Sequence, residues 1–194
     1  MGKPGRGLNF NTKEIALISV LSSLWIVSQI YLGPIISQTI HVHGVTQRFV
    51  GWLLMLVLAE LTGKFGRVSI MAAVAAFATR MVRRSASLYI WMVGLGYALG
   101  GLMFDLLFFM PFTSKFEGRT RKAYLLIISL VSGALALVPY LFFKLYSLGP
   151  YPFIVWIPTY APTAVGDVVL NVLGTLTGLS ILPRIKAWSI KIRT

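Results

Sequence analysis

The sequence predicts an all-α integral membrane protein: a single transmembrane domain, residues 1–194, built as a bundle of six transmembrane helices with both termini in the cytoplasm. Hydrophobic residues make up 57% of the chain and charged residues only 12%, whereas soluble domains carry about 25% charged residues. A membrane-spanning helix needs about 20 residues. Six spans with short connections therefore use nearly the whole chain and leave no room for an ATPase or a soluble catalytic domain.

Charges and helix breakers divide the apolar sequence into six runs. We predict helices over residues 12–32, 48–61, 68–82, 87–110, 123–146 and 163–182. The first is expected to end at Gly33-Pro34, the fifth to kink at Pro139, and the last to close at Pro183. The uncharged stretch 147–162, rich in proline and aromatic residues, is expected to connect the last two helices on the outer face.

The basic residues determine the predicted orientation. With the N-terminus inside, thirteen of the 18 Lys and Arg residues fall on the cytoplasmic side, where positive charge concentrates in membrane proteins. The outer five are Arg48, Arg80, Arg83, Arg84 and Lys144. The net charge of +13 is therefore interpreted as Lys and Arg residues gathered beside the cytoplasmic helix ends. No nucleic-acid partner is predicted, because no basic stretch stands apart from the apolar runs.

Asp167 is the most informative acidic residue, because an intramembrane carboxylate is costly and indicates a functional site by default. Residues spaced three or four apart share its helix face: Tyr160, Thr163, Asp167, Asn171, Gly174 and Gly178. The polar and aromatic outer half of this face suits a ligand pocket, and the small inner half suits a close helix contact. The alternative is a polar pair that only ties helices together.

Five further residues near the outer boundary are candidates for the pocket: Trp156, Tyr97, Trp91, Arg80 and His43. Aromatic rings at this depth either form the interfacial belt or stack on a flat ligand. Arg80 either attracts an anionic group or is solvated. His43 is two residues from His41, and zinc would require at least one more ligand, so we expect a polar lid and no metal site.

Asp105 is expected nearer the cytoplasmic side, in a structural pair with Arg67 or Lys115. The chain contains no cysteine and no His-Glu-x-x-His, Gly-x-Ser-x-Gly or Walker A sequence. We therefore predict neither an enzyme nor a bound cofactor.

Pairs of small residues four apart occur at Ser19 and Ser23 on the first helix and at Ala72 and Ala76 on the third. Such spacings let membrane helices approach closely. They serve either packing within the bundle or docking of another membrane subunit.

These residues resemble the substrate-binding S components of energy-coupling factor (ECF) vitamin transporters. The size and six-span layout are similar, as is the opening Asn-Thr-Lys-Glu-Ile-Ala-Leu-Ile-Ser-Val-Leu-Ser-Ser-Leu at 11–24. A short basic turn at Gly63–Arg67 precedes an Ala-rich helix, and the last helix opens with Pro162 and Gly166-Asp167. The family's Ala-xxx-Ala docking motif is not strict on the first helix, because Val20 stands four residues after Ala16, so Ser19 and Ser23 would have to serve in its place.

The resemblance implies a multi-pass subunit in the plasma membrane of a prokaryote. It would bind a vitamin or vitamin precursor from outside, dock on a membrane coupling protein that carries two cytoplasmic ATPases, and topple to release its ligand inside. A single buried carboxylate among aromatic residues favours a cationic flat ring, such as thiamine or its pyrimidine precursor. Biotin, riboflavin and a cobalamin precursor remain alternatives. The rival readings are a proton-coupled secondary transporter using Asp105 and Asp167, a small intramembrane enzyme, and a structural membrane protein.

Overall fold

The computed structural model of the chain describes residues 10–40, 44–82, 87–111, 113 and 116–191, and every regular element in this part is helical, as predicted. The elements are α1 Thr12–Val27, a π-helical turn Ser28–Leu32, α2 Gly33–Ile40, α3 Val45–Thr62, α4 Arg67–Val82, α5 Leu88–Phe108, α6 Gly118–Leu135, α7 Val138–Leu148 and α8 Pro150–Lys191. The most extensive helix contacts join α4 to α5 and α3 to α8. The core lies between these helices, around fully buried Trp25, Trp52 and Phe104.

The prediction that the first helix ends at Gly33-Pro34 is wrong. α1, the π-helical turn and α2 follow one another without a break from Thr12 to Ile40. Proline inside a helix lacks an N–H, and its ring clashes with the carbonyl four residues earlier. The wider π-helical turn lies directly before Gly33-Pro34 and accommodates this disruption. The continued helix brings Gly33, Pro34 and Ser37 to the cavity described below.

The stretch 147–162 is mostly helical, which corrects its prediction as a connection. α8 spans 42 residues, Pro150–Lys191, instead of 163–182. Its first two prolines lie in the first turn, where backbone N–H groups have no partner within the helix. Pro158, Pro162 and Pro183 lie inside α8 on exposed positions. Membrane helices tolerate such prolines because neighbouring groups and local adjustments satisfy the freed carbonyls.

Five helical stretches are long and apolar enough to cross a membrane: Thr12–Thr39, Val45–Thr62, Leu88–Phe108, Gly118–Leu148 and Pro150–Ala187. The fourth is interrupted at Ala136-Leu137, close to the kink predicted at Pro139. α4, the third predicted span, has 16 residues. Its length of about 24 Å is less than the roughly 30 Å of the hydrocarbon core. The described part of the chain thus has the composition of a membrane protein.

Two glycines bring helix backbones into direct contact. A Cβ on Gly96 of α5 would lie 2.1 Å from the Ala136 carbonyl oxygen. A Cβ on Gly174 of α8 would lie 2.2 Å from the Phe49 carbonyl oxygen of α3. No larger residue fits at these separations. The inner half of the α8 face is therefore a close helix contact, as its small residues predict.

The two predicted docking pairs differ in their surroundings. Ser19 and Ser23 are exposed on α1 and remain available to a partner. Ala72 and Ala76 are fully buried, and a Cβ on Gly101 of α5 would lie 2.3 Å from the Ala72 Cβ. Ala72 and Ala76 therefore pack within the bundle, and their assignment to a docking surface is wrong.

Ion pairs cluster where α3 turns into α4, here called the α3–α4 end of the bundle. Glu14 accepts hydrogen bonds from Lys64 and Arg67, the latter at 2.9 Å. Glu60 pairs with Arg121 and, at 2.7 Å, with Lys186. These pairs join the starts of α1, α4 and α6 to the ends of α3 and α8.

Asp105 caps the start of α4. Its Oδ2 accepts hydrogen bonds from the Gly66 N–H at 3.0 Å, the Ser69 N–H at 2.9 Å and the Ser69 hydroxyl at 2.7 Å. The first N–H groups of a helix have no partner within it and favour a negative charge nearby. Arg67, offered above as its partner, forms an ion pair with Glu14. Asp105 therefore has a structural role, through a different partner.

Replacing Ser69 with alanine is expected to lower the free energy of unfolding by about 1 kcal/mol, the usual net contribution of one hydrogen bond. The backbone N–H of residue 69 still reaches Asp105, so the cap is weakened and not lost. SDS titration of the purified protein measures the change. Ser180→Ala is the control, because its hydroxyl bonds only within α8, to the Thr177 carbonyl, at an exposed position. Equal effects of the two substitutions would refute this role.

Candidate functional site

A cavity of about 400 Å³ opens at the other end of the bundle, here called the cavity end. Its wall is formed by α2, the start of α3, the first half of α5, the α6–α7 break with the start of α7, and the first half of α8. The side chains used below are those of Gln47, Arg48, Tyr89, Tyr97, Tyr140, Tyr160, Thr163 and Asp167. Most of them are aromatic or polar, which suits a small organic ligand with a few directional contacts.

An ion pair lies in the cavity wall. Arg48 Nη2 donates to Asp167 Oδ2 at 3.2 Å, with 5% and 12% of the two side chains exposed. Arg48 reaches Asp167 because α3 begins at Val45, three residues before the predicted start, which places the arginine in its first turn. The pair ties α3 to α8. A buried charge deprived of its partner is strongly unfavourable, so each residue constrains the other.

Tyr97 lies at the centre of the polar cluster. Its hydroxyl donates to Gln47 Oε1 at 2.8 Å. The guanidinium carbon of Arg48 is 5.0 Å from the centre of its ring, and that of Arg80 is 5.3 Å away. These distances permit cation–π attraction to both arginines. Tyr97 thereby holds the two guanidinium groups close to one ring.

Three aromatic rings pack together along the α7 and α8 side of the cavity. The Trp156 and Tyr160 ring centres are 4.7 Å apart, with planes 16° from parallel. The Tyr140 ring centre lies 5.3 Å from that of Tyr160 and 6.1 Å from that of Trp156. Lys144 Nζ is 5.5 Å from the Trp156 ring centre. Tyr140 and Tyr160 line the cavity, with Trp156 supporting them from behind, and together they offer aromatic faces to a flat ligand.

Asn171 lies one turn further into the bundle than Asp167 and is fully buried. Its amide packs against Gly133 of α6, where a Cβ would lie 2.1 Å from Asn171 Nδ2. Within the described part of the chain, neither its amide oxygen nor its amide nitrogen has a hydrogen-bond partner. Buried amides are usually satisfied, so this side chain marks a polar spot below the ion pair.

The structure brings together part of the predicted pocket. Asp167, Tyr160, Thr163 and Tyr97 line the cavity, while Asn171 lies below it and Trp156 behind it. Arg80 is 3% exposed and lines an adjoining cavity of about 140 Å³. Its burial excludes the predicted solvated position.

Two predicted site residues do not join this cluster in the described structure. Trp91 packs on Phe77, with ring centres 6.2 Å apart, away from the cavity lining. His43 lies outside the described residues, as do His41, Arg83, Arg84 and Lys115. The lid role of His43 stays a prediction.

Arg48 is the main cavity residue missing from the sequence-predicted site; Gln47, Tyr89 and Tyr140 are others. One signal could have found Arg48. Intramembrane charges usually pair, and Asp167 is the only carboxylate in the outer half of the sequence-predicted helices, so a cation at similar depth was required. The other three carry no comparable signal, because their approach depends on how the helices pack.

No group of three His, Asp or Glu side chains that could hold a metal ion occurs in the part of the chain that the structure describes. No family profile matches the chain, and neither the curated proteins nor the solved structures contain a significant match. The class defined by fold and site is an all-helical protein with apolar, membrane-length helices and a polar, aromatic cavity at one end.

Proposed function

We propose that the chain is the substrate-binding S component of an ECF-type vitamin importer. The observation that carries this proposal is the 400 Å³ cavity, which places a buried ion pair and tyrosine faces at one end of an apolar helical bundle. Pockets that combine aromatic surface with a few fixed polar groups bind small molecules. The resemblance of residues 11–24 and 162–167 to S components supplies the transport role.

In this proposal α4 is a short third span, added to the five longer ones, and both termini are cytoplasmic. The cavity then faces outward, and the α3–α4 end, with its many basic residues, faces inward. The exposed Ser19 and Ser23 on α1 form the docking surface for the membrane coupling protein and its two ATPases. The location is the plasma membrane of a prokaryote.

The ligand is a vitamin or vitamin precursor with a flat ring. Tyr140 and Tyr160 provide faces for stacking. A carboxylate without a counter-charge would favour a cationic ring such as thiamine. Asp167 is instead paired with Arg48, so the site does not favour a cation. The proposed ligand therefore has a flat ring but need not carry a positive charge.

A proton-coupled transporter using Asp105 and Asp167 is less well supported. Asp105 is occupied by three hydrogen bonds from the start of α4. Asp167 lies at the cavity end, whereas Asp105 lies at the α3–α4 end, and Asp167 forms an ion pair with Arg48. Neither carboxylate is placed to pass a proton to the other through the described structure.

Mass spectrometry of small molecules released from the gently purified chain tests the proposal. We expect one ring-containing vitamin or precursor at about one molecule per chain, and its loss in Tyr160→Ala. Leu173→Ala, an exposed apolar position on the same helix, is the control that should retain it. A chain that is folded, empty and without affinity for any member of a vitamin panel would contradict the proposal.

A further inference from the structure

The acidic residues are distributed unevenly between the two ends of the bundle. The chain has five, and all lie in the described structure. Glu14, Glu60 and Asp105 bond to residues of the α3–α4 end, and Glu117 directly precedes α6, whose Arg121 pairs with Glu60. Asp167 is therefore the one side-chain carboxylate at the cavity end.

Two buried arginines lie at that same end. Arg48 bonds Asp167 through Nη2, while its buried Nε has no hydrogen-bond partner in the described part of the chain. Arg80 donates to the Ala76 carbonyl at 3.0 Å, and more weakly to the Ile90 carbonyl at 3.4 Å and Gln29 Oε1 at 3.5 Å. Burying guanidinium groups in a membrane protein is costly, and such residues commonly mark ligand sites.

The spaces beside these arginines adjoin each other. Arg48 lines the 400 Å³ cavity and Arg80 the 140 Å³ cavity, and both cavities share Gln47, Tyr89 and Val93 in their walls. The Tyr97 ring lies within 5.3 Å of both guanidinium carbons. The two guanidinium groups therefore lie at adjoining cavities and beside one aromatic ring.

We infer that the cavity binds a small organic acid, whose single carboxylate is held by the guanidinium groups of Arg48 and Arg80 beside Tyr97. Guanidinium groups bind planar carboxylates through paired, charge-assisted hydrogen bonds. One added negative charge, together with Asp167, balances the two buried arginines. This assignment rests on the proposed function, because it specifies the charge of the ligand in the same cavity.

Titration of the purified full chain in lipid nanodiscs tests the assignment, with tryptophan fluorescence as the signal. The probes are two acids with their uncharged amides, nicotinate with nicotinamide and biotin with biotinamide. Pyridoxal 5′-phosphate with pyridoxal tests a phosphate, and thiamine tests a cation. We expect at least one acid to bind about tenfold or more tightly than its amide, as expected for loss of a charge-assisted contact.

The other outcomes separate this assignment from the proposed function. Binding of amides, thiamine or pyridoxal as tightly as the acids would overturn the carboxylate assignment and leave a small-molecule binding subunit standing. Discrimination only between pyridoxal 5′-phosphate and pyridoxal would replace the carboxylate with a phosphate and overturn the assignment as stated. No binding by any probe would count against both proposals.

Two variants test the role of Arg80. Arg80→Gln is expected to weaken binding of the acid about tenfold while the amide is unaffected. Arg119→Gln, an exposed arginine at the α3–α4 end, is the control that should change neither. Gly94→Ala serves if Arg80→Gln does not fold, because its Cβ would lie 2.9 Å from Arg80 Nε and displace that side chain with its charge retained. An unchanged preference for the acid in the folded variants would overturn the role of Arg80.

Discussion

Replacing Arg48 with methionine is expected to lower the free energy of unfolding by about 3 kcal/mol, near the lower end of the 3–5 kcal/mol observed when one partner of a buried ion pair is removed. Asp167 would remain in the cavity wall without its counter-charge. The effect should not reach the upper end, because 12% of the Asp167 side chain is exposed and water can partly solvate it. SDS titration followed by circular dichroism measures the change.

A double variant distinguishes the effect of the ion pair on stability from the effect of packing by the aliphatic parts of the two side chains. Asp167→Leu combined with Arg48→Met removes both charges and is expected to recover most of the lost stability, because no buried charge is left unpaired. Arg119→Met, at an exposed position, should change little. If Arg48→Met alone is as stable as the native chain, the ion pair does not contribute to the free energy of unfolding.

The double variant also separates stability from binding. It is expected to fold and yet to bind the acid probes poorly, since one of the two guanidinium groups is absent. Restored stability together with native affinity would show that Arg48 only ties α3 to α8.

Replacing Gly174 with alanine is expected to cost about 3 kcal/mol, the upper part of the usual range for an overpacked core. The new Cβ would lie 2.2 Å from the Phe49 carbonyl oxygen. The obstacle is backbone, so no side-chain rotation relieves it, and α8 must move away from α3. Because this contact lies below the Arg48–Asp167 pair, ligand binding should weaken as well.

Gly166→Ala on the same helix is the matched control. A Cβ there meets nothing within 4 Å, and alanine is the better helix former by about 1 kcal/mol. We expect Gly166→Ala to leave stability unchanged or slightly higher. Both variants are compared with the native chain by the same SDS titration. Equal destabilisation by the two substitutions would show that the α3–α8 contact does not decide the result.

Much of the fold could be predicted from the local sequence. Long apolar runs determine the helices, because a backbone in lipid must satisfy its own hydrogen bonds. The α8 face could be predicted from helical spacing, because its residues share one side of a single helix. Tyr160 and Asp167 therefore reach the cavity while Gly174 packs against α3. The helix ends at prolines were predicted less well, since a proline's effect depends on whether its surroundings satisfy the freed carbonyl.

The sequence by itself thus determined an all-helical chain with membrane-length helices and a carboxylate on the polar face of the last one. Only the tertiary structure decided which residues meet that carboxylate. Arg48 and Asp167 are separated by 119 residues, and local spacing carries no information about contacts between helices so far apart in the chain. The same reason explains why Ala72 and Ala76 are buried although their spacing equals that of the exposed Ser19 and Ser23. Burial depends on which neighbouring helix covers a face, and close packing of the whole bundle decides that.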